Sequence, residues 1–309
     1  MTTAQTVKTS FVETGGVRYA YRRLGPATGI PIVFLHHFRA TMDHWDPLLV
    51  NLMAEKYPVI LFDNAGVGHS SGQIPSSIPE MAQHLITFLK ALKIDAVVLF
   101  GFSIGGMIAL QAALDSEPSL VRKLIISGSG PGRGPNGGGQ ELIDQDPKIT
   151  NENALGLTVQ LENMLKLFFY DSDSSRAIGQ VWYSRVLERN ESTSGEKRAD
   201  WVQGEGIMAQ GTALYKWANR GGKFTGPRPL HKRLTWMTFA GVYDRLPEIR
   251  IPTFVSNGSH DAMVPTQHSF VLSQRLGYAH LHVYPDSGHG HCFQYPETFT
   301  SHIFEFIAE

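Results

Sequence analysis

Cys292 is the only cysteine among 309 residues, which excludes an internal disulfide and any metal centre built on several thiolates. The expected state of that one thiol is reduced and buried. A surplus of charge is missing too: 27 Lys plus Arg stand against 28 Asp plus Glu, and neither sign gathers into a run. Without a basic face or stripe, neither nucleic acid nor an anionic membrane surface is an expected partner. No stretch approaches ~18 consecutive apolar residues, and the opening Met1-Thr2-Thr3-Ala4-Gln5-Thr6 has no apolar segment of the secretory kind, so a cytoplasmic protein is expected. Internal repeats are lacking as well, which excludes a solenoid. With 42% hydrophobic and 18% charged residues, the composition is that of a globular protein. The length suits one large domain carrying an insertion. The partner left by these exclusions is a small, largely uncharged molecule.

What the chain does have is an apolar run, Val97-Val98-Leu99-Phe100-Gly101-Phe102, that ends in Ser103-Ile104-Gly105-Gly106 and continues through good helix formers from Met107 to Leu114. A buried strand therefore turns sharply into a helix, with Ser103 at the corner. Such a corner strains its central residue, and only small neighbours at Gly101 and Gly105 let strand and helix approach. The hydroxyl is then exposed at a helix N-terminus, where the amide of Ile104 and the positive end of the helix suit a developing oxyanion. A Gly-x-Ser-x-Gly pattern in this strand–turn–helix context resembles the nucleophile elbow of the α/β-hydrolase fold family.

Taken in order, the chain alternates strands and helices. Phe11 to Leu24 suggests a hairpin around Gly15-Gly16. Solid apolar runs at 31–35, 59–62, 97–102 and 124–126, with further strands at 251–255 and 281–284, suit a sheet covered on both faces. Helices are expected over Asp43 to Tyr57, around Ile78 to Leu92, after Ser103, and over Glu297 to Ile307. The expected fold is thus α/β, a mostly parallel, doubly wound sheet. The glycine-rich stretch from Gly128 to Gly139 marks a boundary and a hinge; no Gly-Lys-Ser/Thr follows it, so it is no phosphate loop. Beyond it strand signals vanish and helical periodicity takes over (Leu157, Leu161, Met164, Leu165, Phe168). Residues 131–246 are read as a helical cap inserted into a core made of 1–130 and 247–309.

A serine hydroxyl needs a base to take its proton, and the base needs an orienting carboxylate. The loop Gly258-Ser259-His260-Asp261-Ala262-Met263-Val264-Pro265 and the loop Asp286-Ser287-Gly288-His289-Gly290-His291 look like the family's acid and base loops. The resemblance thereby implies Asp261 as acid and His289 as base. Asp286 is a rival acid, but it lies on the base's own loop and suits a turn. Gly128-Ser129-Gly130 offers no carboxylate. His291 is a rival base without the two flanking glycines of His289, and His260 is read as a loop histidine. The family's second oxyanion amide falls on Phe38. His37 stands where the family usually has glycine, so it is either a packed turn histidine or an imidazole at the pocket mouth. The turn from Asp63 to Ser70 matches a family pattern with a structural role. His36, His37 and His44 lack carboxylates at ligand spacing, so no metal is expected, and no cofactor.

Together Ser103, His289 and Asp261, with the amides of Ile104 and Phe38, imply acyl transfer on carboxylic esters or lactones. A serine at the elbow argues against the dehalogenase and epoxide hydrolase branches. A carbon–carbon hydrolase, a perhydrolase of the haloperoxidase kind or a hydroxynitrile lyase would use the same residues, and a small-molecule receptor with weak turnover is a reading of another class. Aromatic residues crowd the cap: Phe168, Phe169, Tyr170, Trp182, Tyr183, Trp201, Tyr215, Trp217, Trp236, Phe239 and Tyr243. Trp182, Tyr183 and Trp217 are the expected substrate contacts, in a pocket that favours bulky, neutral, aromatic molecules.

Overall fold

The apolar runs form the centre of a sheet in a computed structural model that describes residues 2–144, 161–218 and 241–309. Strands β1 (Ser10–Thr14), β2 (Val17–Leu24), β3 (Ile32–Leu35), β4 (Val59–Phe62), β5 (Val97–Phe102), β6 (Val121–Ser127), β7 (Thr253–Gly258) and β8 (Ala279–Tyr284) lie in the order β1-β2-β4-β3-β5-β6-β7-β8. β1 and β2 form an antiparallel hairpin that joins β4 antiparallel, and all later pairings are parallel. Strands β3, β4, β5 and β7 are buried at every position, because helices on both faces leave no wet side for polar alternation. Two large apolar clusters result, one on each face of the sheet.

The helices flanking the sheet are α1 (Pro47–Lys56), α2 (Ile78–Ala91), α3 (Ile104–Asp115), α8 (Gln267–Arg275), α9 (His291–Gln294) and α10 (Pro296–Ala308). The helix expected from Asp43 begins four residues later. Asp46 caps it by accepting from the Leu48 amide, Pro47 occupies its first position, and Met42–His44 make a separate 3₁₀ turn. Proline suits a first turn, where its missing N–H has no partner to lose. Between β6 and β7 the described residues hold α4 (Leu161–Phe168), α5 (Asp173–Val186), α6 (Glu191–Ser194) and α7 (Glu205–Ala218), and no strand. Leu157, Trp236 and Phe239 lie outside the described residues. Among the described residues no helix is long and apolar enough to cross a membrane.

Two buried aspartates beside α1 anchor α5 and the turn after it. Asp46 accepts from Arg185 Nε at 2.9 Å and Nη2 at 2.6 Å, and Asp43 meets Arg22 at 2.5 Å and Arg189 at 3.1 Å. Both carboxylates have fully buried side chains. Removing one partner leaves an uncompensated charge away from water, which is worse than losing a surface pair. Arg185→Ala is expected to lower unfolding stability by about 3 kcal/mol, read as a shifted urea midpoint; an unchanged midpoint would show that α5 is held by apolar packing alone.

Candidate active site

Ser103 sits between β5 and α3 with φ 58° and ψ −121°, a region that costs a residue with a side chain on the order of 1–3 kcal/mol. The neighbours explain how the corner closes. A Cβ on Gly105 would lie 2.0 Å from the Leu35 carbonyl oxygen, and one on Gly101 would lie 2.3 Å from that of Gly105. Larger residues would push α3 off the sheet. The Ser103 amide donates to the Ser127 carbonyl at 2.9 Å, and its own carbonyl accepts from Ser129 Oγ at 2.8 Å. The next residue, Ile104, opens a 12-residue helix, so its N–H has no acceptor within that helix.

Opposite the corner, the loops after β7 and β8 bring Asp261 and His289 together. Nδ1 of His289 lies 2.7 Å from Asp261 Oδ2, and both side chains are buried. The other oxygen of Asp261 accepts from the amides of Met263 and Val264 at 2.8 and 2.9 Å. The carboxylate is thus fixed at both ends, and its bond to Nδ1 leaves Nε2 of His289 as the basic nitrogen. The His289 ring lies 4.8 Å from that of Phe102, the residue before Ser103. It also packs against Gly128, where an added Cβ would come within 3.1 Å of the ring. Phe102 and Gly128 flank the serine along the chain and across the sheet, so the His289 ring and Ser103 share one end of the strands.

The rival residues go elsewhere. The Asp286 carboxylate accepts from Ser174 Oγ at 2.6 Å, and that bond holds its pKa below the usual value. His260 stacks on Tyr170 with ring centroids 3.9 Å apart. His291 is fully buried: its Nδ1 donates to the His289 carbonyl at 3.1 Å, and its Nε2 meets the hydroxyls of Ser127 at 3.1 Å and Ser256 at 3.0 Å, which lie 2.6 Å from each other. His291 therefore holds up the loop that carries His289. Asp63 is buried in its turn and accepts from the amides of Met42 and His69.

Of the expected substrate contacts, Trp182 and Trp217 are packed inside the protein. Trp182 is fully buried in a three-ring cluster with Phe168 and Phe293, at 5.6 and 5.3 Å from them. Trp217 is 2% exposed and donates its indole N–H to the Gly130 carbonyl at 3.1 Å. Both hold the inserted helices together or to the core. Tyr183 is half-buried, edge-on to Trp182 at 6.2 Å. The aromatic rings that do border the site are Phe168, 5.5 Å from His289 and 4.9 Å from His37, and Trp201, 5.7 Å from His37. Phe168 ends an amphipathic helix and its sequence signal is that of a core residue; only its main chain gives it away, since the Gly290 amide donates to its carbonyl. Among the described residues no group of three or more His, Cys, Asp or Glu could hold a metal.

Four histidines around the site are held neutral. Burial pushes His36 down to about 4 and His291 to about 3, and takes His37 and His44 well below the usual value. In the unfolded chain each would titrate near pH ~6.5. The folded state therefore binds fewer protons than the unfolded state between about pH 6.5 and pH 3 to 4, and stability falls as pH is lowered through that window. Asp63, raised to about 6 by burial, works in the opposite sense, as do Asp46, raised by burial, and His69, raised by its bond to Asp43, whereas the lowered carboxyls of Asp43 and Glu196 act with the histidines. The midpoint of thermal unfolding is expected to drop steadily from pH 7.5 to pH 5; a level or rising midpoint would contradict the burial of these rings.

Comparison with known proteins gives a concordant picture. The profile of a family described as alpha/beta hydrolase fold matches residues 30–296. An alpha/beta hydrolase fold protein from Chitinophaga pinensis superposes with a TM-score of 0.80 at 32% identity, covering 99% of this chain and 98% of that one. Est816, described as an N-acyl homoserine lactone degrading enzyme, superposes with a TM-score of 0.66 at 26% identity over 96% of this chain and 100% of its own. A protein of Variovorax paradoxus (strain S110), named as a candidate carbamate hydrolase, RutD, is 25% identical over 290 residues, 93% of this chain and 95% of the relative.

Proposed function

The chain belongs to the α/β-hydrolase fold family, and from that premise we propose that it is a serine hydrolase that cleaves carboxylic esters or lactones through an acyl-enzyme. The observation that carries the reading is the pairing of a strained corner serine with a buried His289–Asp261 couple whose bond is 2.7 Å long. In this reading Ser103 Oγ attacks the substrate carbonyl as Nε2 of His289 takes its proton, while Asp261 keeps the other ring nitrogen protonated and stabilises the imidazolium. The amides of Ile104 and Phe38 receive the oxyanion of the tetrahedral intermediate. Collapse expels the alcohol, protonated by His289, and water then frees the acid by the same steps. A lactone would leave as a hydroxy acid.

Residues 131–246 serve in this reading as a cap, with Phe168 and Trp201 as its contribution to the site. Est816 is described as acting on a lactone and RutD is named for carbamates, both carbonyl compounds open to the same attack. The rings around His289 favour bulky, neutral acyl groups, since a charged one would lose its hydration without a partner. A fluorophosphonate probe is expected to label Ser103 alone, as located by mass spectrometry. Across acetate, long-chain, aryl-ester and aryl-lactone substrates, kcat/KM is expected to be highest for the aromatic ones. Labelling elsewhere would overturn the nucleophile, and a preference for small anionic esters would overturn the assigned pocket.

A further inference from the structure

The imidazole of His37 and that of His289 border the same space. Phe102 lies 5.5 Å from the first and 4.8 Å from the second, and Phe168 lies 4.9 and 5.5 Å from them. Trp201 packs near His37 at 5.7 Å, which leaves the ring only 4% exposed. Nδ1 of His37 lies 3.0 Å from the Phe38 carbonyl oxygen. A carbonyl can only accept, so Nδ1 carries the proton and Nε2 holds a bare lone pair. That Nε2 is buried, and it has no hydrogen-bond partner among the described residues. Leaving a buried acceptor unsatisfied forfeits the hydrogen bond it would make to water in the unfolded chain. Nor does the nitrogen escape by taking a proton, because burial and the neighbouring His36 and His289 all oppose a charge on this ring. A phenyl or aliphatic side chain would fill the same place without the penalty, so the acceptor calls for a donor that arrives with the ligand.

We propose that Nε2 of His37 accepts a hydrogen bond from an O–H or N–H group that the substrate carries beside its scissile carbonyl, and so selects such substrates over isosteres without the donor. The position follows from the chain: His37 directly precedes Phe38, whose amide is assigned to the oxyanion, so the imidazole and that amide belong to adjacent residues of one loop. The proposal rests on the hydrolase reading and sharpens it from any bulky acyl group to one with a donor near the carbonyl.

The test compares p-nitrophenyl mandelate, whose 2-hydroxyl is a donor, with its O-methyl ether and with p-nitrophenyl phenylacetate. The wild-type protein is expected to favour the hydroxy ester by about tenfold in kcat/KM over either partner, the worth of one hydrogen bond to a buried acceptor. In His37→Phe and His37→Leu that ratio is expected to fall to about one, whereas His37→Gln, which keeps an acceptor oxygen, retains most of it. A wild-type ratio of one, or a ratio that survives in either the Phe or the Leu variant, overturns the proposal. The same ratio is read without chemistry by calorimetric binding of the three esters to Ser103→Ala protein. Absence of turnover of all three by the wild-type protein, with the affinity preference intact, counts against the hydrolase reading alone, and equal affinities count against the role of His37 alone.

Discussion

Ser103→Ala is expected to lower kcat on an aryl ester by on the order of 10⁴-fold or more while leaving KM and the thermal midpoint close to wild type. The residue is only 8% exposed, yet its anchoring bonds are made by the main chain, the amide to Ser127 and the carbonyl from Ser129. Alanine preserves both bonds, and the strained φ of 58° is no worse for a methyl than for a hydroxymethyl. What is lost is the atom that attacks, and the donors left behind stabilise only a fraction of the transition state. Activity above a tenth of wild type in a folded Ser103→Ala protein would mean that another group carries the reaction.

Asp261→Asn is expected to cost about 10³- to 10⁴-fold in kcat, whereas Asp286→Asn costs less than threefold, a difference that separates two carboxylates near one loop. Asp261 accepts two main-chain N–H bonds on Oδ1 and the imidazole on Oδ2. An asparagine keeps its carbonyl oxygen on the amides and turns its NH₂ toward His289. A donor facing Nδ1 forces the ring into the tautomer whose Nε2 bears the proton, and a protonated Nε2 accepts nothing from Ser103. Asp286 instead bonds Ser174 at the protein surface, where the change alters one exposed contact. Stopped-flow rates for the two variants on one activated ester decide it, and a reversed order would reassign the acid.

The sheet and the three loops at its end were legible in the sequence because local chemistry dictates them. Short apolar runs bounded by turn residues suit strands covered on both sides, and the glycines at 101 and 105 announce an approach that the Leu35 carbonyl makes concrete. The start of α1 was misplaced by four residues, since Asp43 and Asp46 are both competent caps and tertiary partners choose between them. Asp43 lies inside the 3₁₀ turn that Thr41 caps and faces Arg22, Arg189 and His69, while Asp46, followed by Pro47, caps α1. The cap aromatics were illegible one by one. Trp182, Phe168 and Trp201 all read as large aromatic residues in a sequence, and only packing decides that the first is fully buried while the others reach the histidines.

Ser127, Ser256 and Nε2 of His291 close a triangle of contacts at 2.6, 3.1 and 3.0 Å, and the only hydrogens able to serve its three edges are the two on the hydroxyls. One edge is always empty. With the 2.6 Å serine pair bridged, either Ser127 donates to Ser256 and Ser256 to the imidazole, or Ser256 donates to Ser127 and Ser127 to the imidazole. The two arrangements interconvert by rotation of hydroxyl hydrogens, with each oxygen and nitrogen at rest. The carbonyl of Ser127 meanwhile receives the Ser103 amide, and the opposite nitrogen of His291 holds the His289 carbonyl. Ser103 and the His289 loop thus stand on a foundation that is fixed in position, while the serine–serine bond within it admits two directions.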